Sequence, residues 1–369
     1  MVRFMLILRK TLAMTSKRSI FQAFTTAIAV SLTFILSSCS DTKKSDSVEV
    51  ISLTATEPQI SGEELILGSP GLLKVGDYLV ISDFKGDSVI TVVDTRTMTN
   101  KGSFLTYGQG PGEFQKITLK APIPDNNNEF IIVEPTIRKV TRFSLNGIDD
   151  GKLSPVDVKK LDCDMWQFLP LANGNYVASL GYDEHTELLT VYSKDGELIG
   201  RVGDRPMPDK YKGEAPIDIT AAYQFILHPS PDGRHVVAVG DGVSAVFYEL
   251  TDDGLVEKAT IFDATADPER SFTANGYMGI EGNSDIPMGF CNAAAGDDGV
   301  YILYTDRPIA HDEFNAGNKI FHYDYDGNLK REFNLDKRIS RLCAPDGDGI
   351  MYAIALDDCE PTIVTFDTK

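Results

Sequence analysis

Six short apolar runs, each ending in an acidic residue, recur along this chain and limit its fold more tightly than any other feature. They are residues 79–83 (LVISD), 130–134 (FIIVE), 176–183 (YVASLGYD), 236–241 (VVAVGD), 301–306 (YILYTD) and 351–357 (MYAIALD). Their terminal acids, Asp83, Glu134, Asp183, Asp241, Asp306 and Asp357, fall 49 to 65 residues apart, a period of repeat architectures. The runs are five to eight residues long and rich in Val, Ile and Tyr, as buried strands are. A second, alternating strand follows each acid, as in 89–93 (VITVV), 139–143 (KVTRF) and 188–192 (LLTVY). Four of these second strands run into Asn146-Gly147, Asp195-Gly196, Asp253-Gly254 and Asp326-Gly327. Asx-Gly tolerates φ > 0 and favours a tight hairpin into a third strand such as 198–202 (LIGRV). Turn residues also precede each apolar run; 230–233 (SPDG) has the Pro and Gly placement of a type I turn. Four strands per repeat and six repeats predict an all-β chain, a six-bladed β-propeller of four-stranded antiparallel blades over residues 48–369. The sixth repeat stops one strand short at Lys369, and residues 48–53 (VEVISL) are expected to supply that strand and remove an open edge.

A family resemblance rests on three of these segments. The pattern 79–84 (LVISDF) followed by 89–94 (VITVVD) resembles NHL-type propeller repeats. The loop 108–114 (GQGPGEF) resembles the G-x-G-P-G-E-F segment of TolB-like six-bladed propeller lipoproteins of Gram-negative bacteria. The turn at 230–233 is similar to those of TolB-type repeats. The resemblance spans nearly all of 48–369 and implies the propeller fold; it implies no single activity, because one scaffold hosts many functions.

Residues 1–38 carry Arg3, Arg9, Lys10, Lys17 and Arg18 and no acid, followed by an apolar stretch over 20–36 that ends in 36–39 (LSSC). A basic start, an apolar middle and small residues before a cleavage point make a secretory signal peptide. The Cys resembles that of a bacterial lipobox, so 1–38 is read as a lipoprotein signal peptide and Cys39 as the lipidated first residue of the mature chain. An uncleaved anchor is the competing reading, but the apolar run is short against the roughly 20 residues a span needs. Met14 would give a more ordinary signal length. Residues 39–47 are polar and read as a tether. The expected address is the cell envelope of a Gram-negative bacterium, as an outer-membrane lipoprotein facing either the periplasm or the exterior.

Charge narrows the partners. Asp and Glu number 54 against 35 Lys and Arg, a formal net of −19, and cleavage after residue 38 would remove five basic residues and no acid. Nucleic acid is excluded as a partner, since phosphate binding relies on Lys and Arg. Anionic lipid would repel such a body, so membrane attachment falls to the N-terminal lipid, and a stable hold needs more than one acyl chain. Cys163, Cys291, Cys343 and Cys359 remain; an exported location permits disulfides, and the spacing selects none of the three full pairings.

Several motifs invite chemistry and have simpler readings. Gly108, Gly110 and Gly112 lack the strand-before, helix-after setting of a phosphate cradle, so an inter-blade loop is expected, with Glu113 bonding backbone amides or facing the central opening. The strand-ending acids are expected to cap the loops that follow them rather than form a calcium ring. Asp324-x-Asp326-Gly and Asp346-x-Asp348-Gly lack the later bidentate acid of a calcium loop and read as hairpin turns. No pair of histidines has metal-site spacing. His228 falls in an expected innermost strand, 223–228, as a structural histidine or a channel-lining one. His311 sits in an insertion beside Asp312 and Glu313, where solvation is the default. Trp166, the sole Trp, falls in an expected inner strand, 166–171, for core packing or for stacking at the channel. No G-x-S-x-G nucleophile elbow is present.

Long connections at 108–114, 203–218, 263–287 and 307–319 should share one face of a propeller, and long loops in compact repeats often carry function. Aromatics and Arg are typical contact residues, which makes Glu113, Trp166, Tyr211, His228, Arg270, Phe272, Tyr277 and His311 the candidate ligand-binding set. The favoured reading is a non-enzymatic, membrane-tethered propeller that binds a protein, peptide or glycan through this face, with no cofactor. The alternative is a metal-dependent lactonase- or lyase-like enzyme. Related six-bladed folds hold a divalent ion, such as calcium, in the channel; Glu113, Asp164, Asn292 and Asp298 are the ligands considered, and no spacing selects them.

Overall fold

Each acid-ended run is the second strand of a blade, buried because blades pack on both of its faces. All six residues of Tyr78–Asp83 are buried. In the fourth blade Val236 and Ala238 pack toward blade three, whereas Val237 and Val239 pack toward blade five. The two-residue period of a strand thus serves two interfaces at once, and the run needs no polar face. The computed structural model describes residues 48–369 except 64, 66, 68–69, 84–87, 111, 116, 283–284 and 358–359. The signal peptide, Cys39, the tether 39–47 and Cys359 lie outside the described residues.

Blades one to four are four-stranded antiparallel sheets in simple sequence order, beginning with Pro70–Val75, Tyr78–Asp83, Ser88–Asp94 and Thr99–Thr106. Blades five and six are joined by one long strand, Leu329–Leu342. Its first half pairs with Gly317–Tyr323 as the outer strand of blade five, and its second half pairs with Ile350–Asp357 as the inner strand of blade six. The inner strand Pro70–Val75 packs against Thr118–Ile123 of blade two and against strands of blade six, closing the ring. Six hydrophobic clusters among the described residues each bridge two adjacent blades.

The N-terminal strand corrects the expected closure. Glu49–Leu53 does not pair as the missing strand of blade six; it lies parallel to the outer strand of blade five, from Glu49 opposite Arg331 to Leu53 opposite Leu335. The cause is an apolar face: Leu53 is buried with Phe333 and Leu335, and Ile51 packs on the same cluster. The chain then crosses blade six with a single antiparallel bridge, Thr56 to Thr365, at 2.9 and 2.8 Å. It next reaches blade one, where Ser61 exchanges backbone hydrogen bonds with Met98 and Asn100 at 2.9 and 2.8 Å. Closure is a strap over three outer edges rather than one strand in one blade.

Local chemistry explains two further differences. Asn146-Gly147 is not a tight hairpin; the chain makes a short 3-10 turn at Ile148–Asp150 because Ile148 is drawn into the core. Asp195-Gly196 and Asp326-Gly327 do form tight turns, closed by Gly196 N–H to Ser193 and Gly327 N–H to Asp324. Two connections hold elements that no periodicity announced. These are a helix, Pro216–Ala222, between blades three and four, and a hairpin, Arg270–Phe272 with Met278–Ile280, between blades four and five.

Candidate functional site

A cavity of about 380 Å3 opens where the ends of blades three, four and five meet the two inserted elements. Its polar lining is Trp166, Gln167, Gln224, His228, Asp241 and Asn292, over an apolar floor of Phe225, Ile226 and Phe290. That volume is in the range of about 300–1,000 Å3 typical of small-molecule sites.

Trp166 and Gln167 reach this cavity because the residues flanking them turn inward. Met165 and Phe168 are buried, and Phe168 stacks on Tyr176 with centroids 4.5 Å apart. Gln167 takes a left-handed φ of 47°, and Trp166 is left 41% exposed at the rim. The expectation of core packing, and of an inner strand from 166, is therefore corrected: the strand is only Leu169–Pro170, and Trp166 precedes it. His228 lies in the inner strand Ile226–Pro229, where Leu227 points to the core and Ile226 and His228 line the cavity.

Asp241 is held over the cavity by a backbone stitch. Gly242 donates to Met288 at 2.7 Å and accepts from Phe290 at 2.6 Å, tying the turn after Asp241 to the inner strand of blade five. A side chain at Gly289 would place its Cβ 2.0 Å from the Gly242 carbonyl oxygen, so only glycine fits this crossing. Burial pushes the Asp241 carboxyl up to about 6; Arg270 pulls it back and Asp267 adds to the rise.

The other strand-ending acids use their carboxylates differently. Glu134 pairs with Lys139 and accepts from the Gln115 amide at 3.2 Å. Asp183 accepts from the His185 amide at 3.2 Å, as an Asx turn does. Asp306 pairs with Arg338 at 2.7 Å, which holds it below the usual carboxylate range. Loop capping, expected of all six, describes Asp183 and not Asp306 or Asp241.

Two predicted contact residues are structural. Arg270 is buried, donating to Asp267 at 2.7 Å, to the Pro268 carbonyl at 2.7 Å and to the Ala222 carbonyl at 3.1 Å. Its guanidinium lies 3.8 Å from the Tyr223 ring centroid, and the Tyr223 hydroxyl donates to Asp267 at 2.9 Å. Tyr211 is also buried, its hydroxyl accepting from the Arg270 amide at 3.1 Å. Together they lock the inserted helix to the inserted hairpin. A charged residue in a long loop was read as a contact, whereas its Asp partner three residues earlier retained it inside.

Glu113 faces its own loop, accepting from the Gly110 amide at 2.7 Å, while Gly108 N–H donates to the Phe114 carbonyl at 2.9 Å. Phe114 is buried between blades one and two, so this segment is an inter-blade plug, as expected of it. His311 is exposed and accepts from the Glu313 amide through Nδ1 at 3.1 Å, away from the cavity lining. Phe272 and Tyr277 stand on the inserted hairpin, 59% and 37% exposed. Tyr277 meets Tyr182 edge to face with centroids 5.0 Å apart; Tyr182, in the loop that follows the strand Tyr176–Ala178, was not singled out from sequence.

The four metal ligands considered are not brought together. Glu113 closes its loop, Asp164 lies 3.7 Å from Arg138, Asp298 accepts from Tyr301 at 3.1 Å, and only Asn292 lines the cavity. Among the described residues no group of three or more His, Cys, Asp or Glu could hold a metal ion. Asp324 and Asp346 accept backbone amides of their own hairpin turns, as expected of them. Cys163, Cys291 and Cys343 are free thiols.

Among solved structures, a Bacteroides fragilis protein described as exported aligns with TM-score 0.55 at 14% identity, over 86% of this chain and 98% of that one. A member of the DUF4221 family from Bacteroides vulgatus aligns with TM-score 0.52 at 10% identity, over 85% of this chain and 98% of that one. No curated protein matches the chain. The model of the TolB-like 6-blade propeller-like family matches residues 54–346, which takes in five of the six apolar runs and the GQGPGEF plug. By that match and by its ring of six blades, the chain belongs to the TolB-like six-bladed propeller family.

Proposed function

We propose that this chain is an exported, lipid-anchored binding propeller that takes a peptide, protein or glycan at the cavity between blades three, four and five, without catalysing a reaction on it. The observation that carries the reading is the set of exposed aromatics on the elements that build the cavity. Trp166 lines the cavity at 41% exposure, and the inserted hairpin that supplies Gly279 and Ile280 to its lining also carries Phe272 and Tyr277, 59% and 37% exposed, with Tyr182, 56% exposed, against Tyr277. Aromatics left in solvent next to convergent polar groups are a recognition surface, since they offer large contact area at little entropic cost.

Export and anchoring rest on the lipobox-like 36–39 and on the fold shared with a protein described as exported. Two variants test the two halves separately. Cys39→Ser should move the chain from the membrane to the soluble fraction; unchanged membrane association would refute the anchor. Phe272→Ala with Tyr277→Ala should weaken ligand binding at least tenfold at an unchanged melting temperature. Equal binding by the double variant would remove the hairpin aromatics from the site.

A further inference from the structure

We propose that the cavity takes a primary ammonium group, with Asp241 as its counter-ion and Trp166 as an aromatic face for the same charge. This deepens the binding reading above and rests on it.

Among the described residues Asp241 is the only acidic one in the cavity lining, and that lining contains no Lys or Arg. Among the described residues no Lys or Arg forms an ion pair with it, since Arg270 is paired with Asp267. The Asp241 side chain is half-buried, and a charge partly withdrawn from water is stabilised by a counter-ion. The charges nearest to it offer no relief. Arg270 is committed to Asp267, Pro268 and Ala222, so it cannot swing across, and the Arg270–Asp267 pair carries no net charge. Asp241 is thus the one carboxylate of a described lining that holds no Lys or Arg.

The remaining lining suits an ammonium better than other cations. Gln167, Gln224 and Asn292 can present amide oxygens to N–H donors. Trp is the most favourable ring for a cation, and Trp166 is exposed on the rim. Calcium would want roughly six to eight oxygen ligands and more than one carboxylate, and no such group is assembled among the described residues. Cys291, whose thiol burial pushes up to about 12, stays neutral and adds no charge of its own. The cavity volume admits a lysyl side chain or one amino-sugar unit, and the net charge of −19 favours approach of cations from solution. Asp241 titrates near 6 with Arg270, Asp267, Cys291 and His228 around it, so ammonium binding should weaken as pH falls through that value.

The test is calorimetry on the full chain in detergent at pH 7.5 with two matched pairs of probes. One pair is a glucosamine tetramer and its N-acetylated form; the other is a pentapeptide with one central lysine and its Nε-acetyl form. At least one free-amine probe should bind ten times or more tighter than its acetylated partner, and Asp241→Asn should erase that difference while melting no lower than the parent chain. The probe that binds identifies the source, amino sugar or lysyl side chain. Equal or tighter binding of the acetylated forms overturns the proposal, as does a preference that survives Asp241→Asn or a failure of both free amines to bind. Acetylated probes that bind and are lost in Trp166→Leu would leave the binding site standing without its ammonium. Silence from all four probes, with unchanged Trp166 emission, would count against both.

Discussion

Asp241 and Asp306 end equivalent strands, yet their carboxyls sit in opposite chemistry. Arg338 stabilises the charge of Asp306, whereas burial penalises that of Asp241. The penalty sets a pH dependence. A native carboxyl raised to about 6, against roughly 3.9 in the unfolded chain, costs nothing below both values, costs progressively more between them, and costs its full amount above 6. Asp241→Asn should therefore stabilise the unliganded chain by about 1–3 kcal/mol at pH 7.5 and by almost nothing at pH 4. Denaturant melts at the two pH values measure this, and a destabilised variant at pH 7.5 would contradict the assignment. From sequence, Asp241 was one of six look-alike acids, because a carboxylate is distinguished by what faces it across the fold. Arg270 and Tyr211 were read as contacts because, although Asp267 lies only three residues from Arg270, the Ala222 carbonyl and the Tyr211 hydroxyl reach Arg270 across the fold.

At the scale of elements, the blades were legible and their junctions were not. Alternation and turn residues mark strands because both act within a few residues. The strap at the N-terminus obeys a longer-range rule, the match of Ile51 and Leu53 to Phe333 and Leu335, which a local pattern does not contain. Leu53→Ala should cost about 2–4 kcal/mol through its lost burial and cavity, whereas Val50→Ala, at an exposed position of the same strand, should cost under about 0.5 kcal/mol. Similar losses from the two would show that the strap does not close the ring through its apolar face. The inserted helix and hairpin were read only as long loops, since seven residues and two three-residue strands are too short to show a period. They nonetheless build one wall of the cavity and carry Phe272 and Tyr277.

The whole molecule repeats one economy six times: a strand buried on both faces, a cluster shared with each neighbour, and connections gathered where the ring opens. That regularity made the fold readable from spacing alone. The site breaks the regularity, drawing Trp166 from one connection, His228 and Asn292 from two inner strands and Asp241 from a strand end, and no repeat contains it whole. Trp166 is the only tryptophan in the chain, so its emission reports on this cavity without background. The decisive measurement is Trp166 fluorescence during titration with each peptide or oligosaccharide that calorimetry shows to bind. Occupation of the cavity should shift or quench the emission saturably, with a midpoint equal to the calorimetric dissociation constant. A ligand that binds to saturation while Trp166 emission stays constant would place recognition elsewhere on the propeller.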